Sequence, residues 1–292
     1  MTISSVESAP LVVPPRLARQ LLDLYHYRDP RHPRRVIRGY DRPHALRTAR
    51  LCAAVALRLG YAPAQVARFQ TACLLHDLGR AGLDQHLFGA IWTWARQQDI
   101  PTRPGEWRAV HPATRYGFET EAFLVRYRQD LERDVTPMDA WACEQVEMRL
   151  GYARRLARQL RRLRPAIARL GVRWAPWMTR IMLYYYYPER LATAPRWVRQ
   201  LAEILVACEQ FEACSNRQRG QDYYARTKES LREAVDYLEV LRRQGRVSAV
   251  VVSAIRELLA EGAFDAVVAD ARGRPVTARE RAAAGLRQGG RQ

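Results

Sequence analysis

Apolar residues recur along most of this chain at three- and four-residue spacing, the pattern of helices with one buried face. Residues 44–59 follow Asp41 and Pro43, carry Leu46, Ala49, Leu51, Ala53, Val55 and Leu57, and stop at Gly60. A second helix starts near Pro63 and runs through Val66, Phe69, Ala72, Cys73 and Leu74 into His76-Asp77. A third covers 84–97, and residues 98–106, with Pro101, Pro104 and Gly105, read as a loop. Helical patterning returns over 105–129, 137–169, 174–187, 195–217, 222–243 and 247–261. Strand patterning is nearly absent. The longest valine cluster, Val247 to Val252, continues at helical spacing into Ala254, Ile255, Leu258 and Leu259. The expected fold class is therefore all-α. From Arg272 onward the chain is rich in Arg, Gly and Ala, which predicts a disordered tail.

Composition sharpens this picture. A hydrophobic content of 48% suffices for a sizeable core in 292 residues. The net charge is +18, and Lys228 is the only lysine, so arginine carries the excess. Such a charge calls for an anionic partner or a strongly solvated surface. Nucleic acid is one such partner, although no nucleic-acid-binding motif is recognisable. The charge is concentrated in residues 149–169, which hold eight arginines and no acid. There Leu156, Leu160, Leu163, Ile167 and Leu170 form one stripe, and Arg154, Arg155, Arg158, Arg161 and Arg162 occupy the rest. This is an amphipathic helix with a basic face, either solvated or placed against a ligand or protein partner. The five cysteines form no CxxC pair and read as thiols of a reducing cytosol. The first fifteen residues lack the pattern of a signal peptide. No apolar run approaches the roughly 18 residues of a membrane helix. The expected location is cytoplasmic, with no membrane partner.

The chemistry centres on His76-Asp77, which closes an apolar helical run and is followed by Gly79 and Arg80. An imidazole and a carboxylate beside a fixed cation suit a divalent metal held near a phosphate. The six histidines make the search for further ligands short. His26 and His32 lie among Arg and Pro and read as surface residues, and His86 falls on the helix after the dipeptide. His44 begins the helix before the one carrying His76, so an antiparallel pair brings the two together. His111 follows a proline-rich loop, in Val110-His111-Pro112, where a lone histidine is more often structural.

Two segments, Gly39-Tyr40-Asp41-Arg42-Pro43-His44 and Ala72-Cys73-Leu74-Leu75-His76-Asp77-Leu78-Gly79-Arg80, resemble the HD superfamily of metal-dependent phosphohydrolases. Glu106 to Gly117, around His111, is similar to the next histidine segment of the HD-GYP branch. Ile204-Leu205-Val206-Ala207-Cys208-Glu209-Gln210-Phe211-Glu212-Ala213 resembles that branch's late segment, with Glu209 at its metal-binding aspartate. Tyr187-Pro188-Glu189-Arg190-Leu191 is similar to its glycine-tyrosine-proline stretch. The resemblance covers roughly residues 38–123 and 178–260.

It implies an all-α HD-domain helical bundle over 38–268, after an N-terminal extension over 1–37 and before a tail over 269–292. An inserted basic helical segment lies near 125–172. It further implies a divalent metal (Fe, Mn or Mg) held by His44, His76, Asp77 and Glu209, with one ion expected rather than two. His111 would hold a second ion or protonate the leaving oxygen. Arg80 would neutralise charge on the phosphate, and Asp77 would orient the attacking water. The implied activity is hydrolysis of a nucleotide phosphodiester by a metal-activated water, most like a cyclic-di-GMP phosphodiesterase. The chain departs from the family in several places. The paired histidines are replaced by Leu183-Tyr184-Tyr185-Tyr186-Tyr187, the usual lysine is Arg80, and the late aspartate is Glu209. These departures keep a second reading open: a degenerate HD-type domain that binds a nucleotide or a signalling protein, the latter through the Arg-rich insertion.

Overall fold

A computed structural model describes residues 9–215 and 230–284. Among these residues the chain forms 14 α-helices and one small two-stranded sheet, an all-α architecture of the expected kind. The chain divides into two compact units. One holds Met1–Arg19, Pro43–His76 and Trp174–Gln292, and the other Gln20–Arg42 and Asp77–Arg173.

The first unit is built on α2 (Arg42–Arg58), α3 (Pro63–Leu74), α9 (Pro176–Met182) and α10 (Arg196–Ser215). Four further helices follow in it among the described residues: α11 (Leu231–Arg243), α12 (Ala249–Ala260), α13 (Asp265–Arg272) and α14 (Ala278–Ala283). Helix α3 starts where Pro63 supplies a preset φ and needs no amide partner. Helix α10 is its axis. Leu201, Ile204, Leu205, Ala207, Cys208 and Phe211 are all buried, and α9, α11 and α12 pack against it. Buried Gln70 on α3 joins the N-terminal segment to this core. Its Oε1 accepts from the amides of Val12 and Val13 at 2.8 Å, and its Nε2 donates to Pro10 O and Ala49 O.

The second unit holds a hairpin of β1 (Tyr27–Asp29) and β2 (His32–Ile37), then α4 (Gln85–Gln97) and α5 (Pro104–Val110). It continues through α6 (Glu119–Asp134), α7 (Ala140–Leu150) and α8 (Tyr152–Arg169). Helix α4 packs on α7, α6 on α7, and α8 on both α7 and the 3-10 turn Leu78–Arg80.

Several expected boundaries are corrected. The hairpin was not predicted, because β2 is exposed along nearly its whole length and shows no apolar alternation. The helix expected over 105–129 is two, parted by the turn at Pro112 and by Gly117 with φ +85°. The helix expected over 137–169 starts only at Ala140 and breaks at Gly151, where a Cβ would lie 2.5 Å from Glu147 Cγ. The stretch 174–187 is helical only to Met182. Residues 269–284, expected to be disordered, include the end of α13 and a short helix α14 (Ala278–Ala283). Its start is secured by a capping box between Thr277 and Glu280. Part of the helix expected over 222–243, and the end of the expected tail, lie outside the described residues.

Candidate metal centre

The end of α3 sets the site. The helix closes at Leu74, and the chain turns at Leu75 before the 3-10 turn Leu78–Arg80. His76 and Asp77 occupy the bend, buried at 3% and 2% exposure. His44, in the first turn of α2, is also buried.

Both imidazoles are held by their Nδ1 atoms. His76 Nδ1 lies 2.7 Å from the carbonyl oxygen of Cys73, one helical turn back. His44 Nδ1 lies 2.5 Å from Glu212 Oε2 on α10. Arg47 Nε donates to the other oxygen of Glu212 at 2.7 Å. A carbonyl and a carboxylate only accept, so in both rings Nδ1 carries the proton. In the neutral rings both Nε2 atoms then present lone pairs, and these stand 3.2 Å apart. Two lone pairs at that distance repel unless an electrophile sits between them. The arrangement of donors therefore fits a cation. Asp77 follows His76 through a peptide bond. One ligand atom from each of His44, His76 and Asp77 lies within 4.8 Å of the others. Two imidazoles and a carboxylate suit a divalent transition metal such as iron or manganese.

The surroundings of Asp77 fix its orientation. Arg80 Nη1 donates to Asp77 Oδ2 at 3.2 Å and lies 3.9 Å from Asp41 Oδ1. The amide of Asp77 donates to the hydroxyl oxygen of Tyr25 at 3.2 Å. Burial, followed by the charges of Asp77 and Asp41, pushes the Tyr25 phenol well above its ordinary pKa, so it stays protonated. The turn behind Asp77 is clamped by the insertion. Buried Arg155 on α8 donates from Nε to Gly79 O at 2.8 Å and from Nη2 to Ala81 O at 2.7 Å. Gly79 is required there, since a Cβ would meet the Tyr152 ring at 2.7 Å. The basic face of α8 is thus largely engaged along its first half. Arg154 pairs with Glu121, Arg155 with Glu144 and Arg158 with Glu147, whereas Arg161, Arg162, Arg164 and Arg169 are exposed.

The structure brings together His44, His76 and Asp77 of the expected ligands. His111 and Glu209 are not in that group. His111 caps the end of α5, with its ring centroid 4.2 Å from that of Trp107 and its Nε2 buried without a hydrogen-bond partner. Glu209 is half-buried on α10, one turn before Glu212. It is Glu212, a residue the sequence reasoning passed over, that reaches His44. Burial of an acid inside the apolar run Phe211 to Cys214 was the available signal. Of the remaining histidines, His32 and His86 are exposed and His26 is half-buried. Tyr184 to Tyr187, expected from the resemblance to stand where the HD-GYP branch has its histidine pair, follow α9 as a turn. Tyr184 donates to Arg246 O at 3.0 Å, and Tyr187 is 2% exposed. Cys52, Cys73 and Cys208 are buried close behind the site, and burial raises all three thiols above their ordinary pKa.

The family model described as HD domain matches residues 43–91, which include His44, His76, Asp77 and Arg80. An HD domain implies a metal-dependent phosphohydrolase with a divalent metal and a phosphate-ester ligand. Neither the curated proteins nor the solved structures contain a match to the chain. Among the described residues no helix is long and apolar enough to cross a membrane.

Proposed function

We propose that this protein hydrolyses a nucleotide phosphodiester, with cyclic-di-GMP as the nearest substrate class. The observation that carries the proposal is the pair of facing Nε2 atoms of His44 and His76, with Asp77 beside them. These three residues would hold one divalent cation. A bound cation of this kind polarises a phosphoryl oxygen and makes water a better nucleophile at neutral pH. Asp77 accepts a hydrogen bond from the attacking water and aligns it. Arg80 holds the Asp77 carboxylate in place and brings a permanent positive charge to the phosphate side, a task that suits its planar fork. Glu209 and His111 stand as the acid and the histidine of the resemblance, and the proposal does not depend on either.

The test is elemental analysis of the purified protein, with hydrolysis of bis(4-nitrophenyl) phosphate and of cyclic-di-GMP before and after metal reconstitution. Asp77→Ala and His76→Ala are each expected to lose both the metal and the activity. Full turnover by Asp77→Ala would refute the mechanism. A second reading, a binding module without turnover, draws on the tyrosine stretch. Where the family carries a histidine pair, Tyr184 and Tyr187 are spent on packing and on a backbone hydrogen bond. Nucleotide binding by the metal-loaded protein with no product after prolonged incubation would select that reading.

A further inference from the structure

Glu212 lies 168 positions after His44 in the chain and meets it in a buried contact of 2.5 Å. Its side chain is 2% exposed, and it lies in the middle of an apolar helical face. A carboxylate is not placed in such surroundings for packing. Both of its oxygens are engaged: Oε2 accepts from His44 Nδ1, and Oε1 accepts from Arg47 Nε. Arg47 lies three residues after His44 on α2, and its Nη1 reaches Asp270 Oδ2 at 3.3 Å. The order His44, Glu212, Arg47, Asp270 is therefore a chain of charge-assisted contacts running outward from the imidazole. A neutral histidine that donates its one ring N–H to a carboxylate is fixed in tautomer and orientation, and its other nitrogen becomes more basic.

We infer that Glu212 is the positioning residue of this centre, setting which nitrogen of His44 carries the proton and aiming its Nε2 lone pair. The assignment deepens the proposed function and rests on the same metal. It gives the two late acids of α10 different parts, and the one that grips the histidine is Glu212 rather than Glu209. Glu212 is outside the cluster of His44, His76 and Asp77, so the part assigned to it is positioning and not ligation.

The experiment has two readouts. The first is the 15N chemical shifts of the His44 ring in the metal-free protein, which report the tautomer directly. Wild type is expected to show the Nδ1-protonated form, and Glu212→Gln a shift toward the other tautomer, because its amide can donate. The second is Mn2+ affinity by titration calorimetry, with thermal unfolding as a check on folding. Glu212→Gln and Glu212→Ala are expected to bind Mn2+ about 10- to 100-fold more weakly, the usual loss when such a partner is removed. Glu212→Asp is expected to fall between them and wild type. An unchanged tautomer together with affinity within about twofold in Glu212→Gln would overturn the assignment, since such losses run at least tenfold. Should the Glu212 variants not fold, Arg47→Gln loosens the same carboxylate from outside. It is then expected to disturb both readouts in the same direction, and no change in either overturns the inference. If wild type binds no divalent ion, the proposed function fails, while the ring shifts still decide whether Glu212 sets the His44 tautomer.

Discussion

Replacing Arg155 with alanine removes the side chain that holds the turn behind Asp77. Arg155 is 4% exposed, and its guanidinium donates to Gly79 O at 2.8 Å, Ala81 O at 2.7 Å and Glu144 Oε2 at 2.9 Å. A buried carbonyl that loses its donor costs about 1–3 kcal/mol, so the two together cost roughly 2–6 kcal/mol. Glu144 is 47% exposed, so that ion pair adds no more than about 1 kcal/mol. The expected destabilisation is about 2–7 kcal/mol, a range that reaches the upper end for a single substitution. Arg155→Lys keeps the charge but not the fork that spans both carbonyls, and it should recover only part of the loss. Urea unfolding followed by tryptophan fluorescence measures this as a lower midpoint at constant slope. Gly79→Ala pushes a methyl against Tyr152 in the same turn and should couple to Arg155→Ala in a double-mutant cycle. A midpoint change equivalent to less than about 0.5 kcal/mol in Arg155→Ala would refute the clamp, since that is the scale of an ordinary surface substitution.

Two further outcomes follow from contacts elsewhere in the fold. Gln70→Leu strips partners from the amides of Val12 and Val13 and from two carbonyls. It should cost about 2–4 kcal/mol, and limited proteolysis should release the segment before Pro14 faster than in wild type. The Arg274 guanidinium beside Glu280 holds its carboxyl at about 2, below its ordinary value of 4.5. A depressed carboxyl stabilises the fold above its unfolded pKa and loses that contribution as pH falls through the folded one. Helix α14 should therefore be unaffected by acid down to about pH 4.5 and fray between there and pH 2. Hydrogen exchange at the amide of Glu280 across that range measures it, and constant protection down to pH 2 would contradict the assignment.

Much of the first unit was legible in the sequence because its helices carry apolar residues at helical spacing between local start and stop signals. The period of Val66, Phe69 and Cys73 and the stop at Gly60 are local signals, and both describe the structure. His44 and His76 were paired correctly from the antiparallel order of two adjacent helices. The hairpin over 27–37 was hidden because β2 faces solvent and carries Arg and Pro instead of alternating apolar residues. The choice between Glu209 and Glu212 was hidden for a different reason. Three positions on a helix turn through about 300°, so the two acids point only about 60° apart. Which of them meets His44 depends on how α10 is rotated against α2, and that is a property of the whole core. The Arg-rich insertion read as a free basic face because its acidic partners, Glu121, Glu144 and Glu147, lie on α6 and α7, outside the acid-free stretch.

The contact between His44 and Glu212 also has a consequence for the order of folding. The chain leaves the first unit at His76 and returns to it at Trp174. During synthesis from the N-terminus, His44, His76 and Asp77 all emerge long before the acid that fixes the first of them. Contacts this distant in sequence form late, because the closure entropy of the intervening chain must be overcome first. A nascent chain therefore carries the ligands of the centre without their final alignment. Under the proposed function, tight metal capture would be a late event, completed only when α10 has been made and docked.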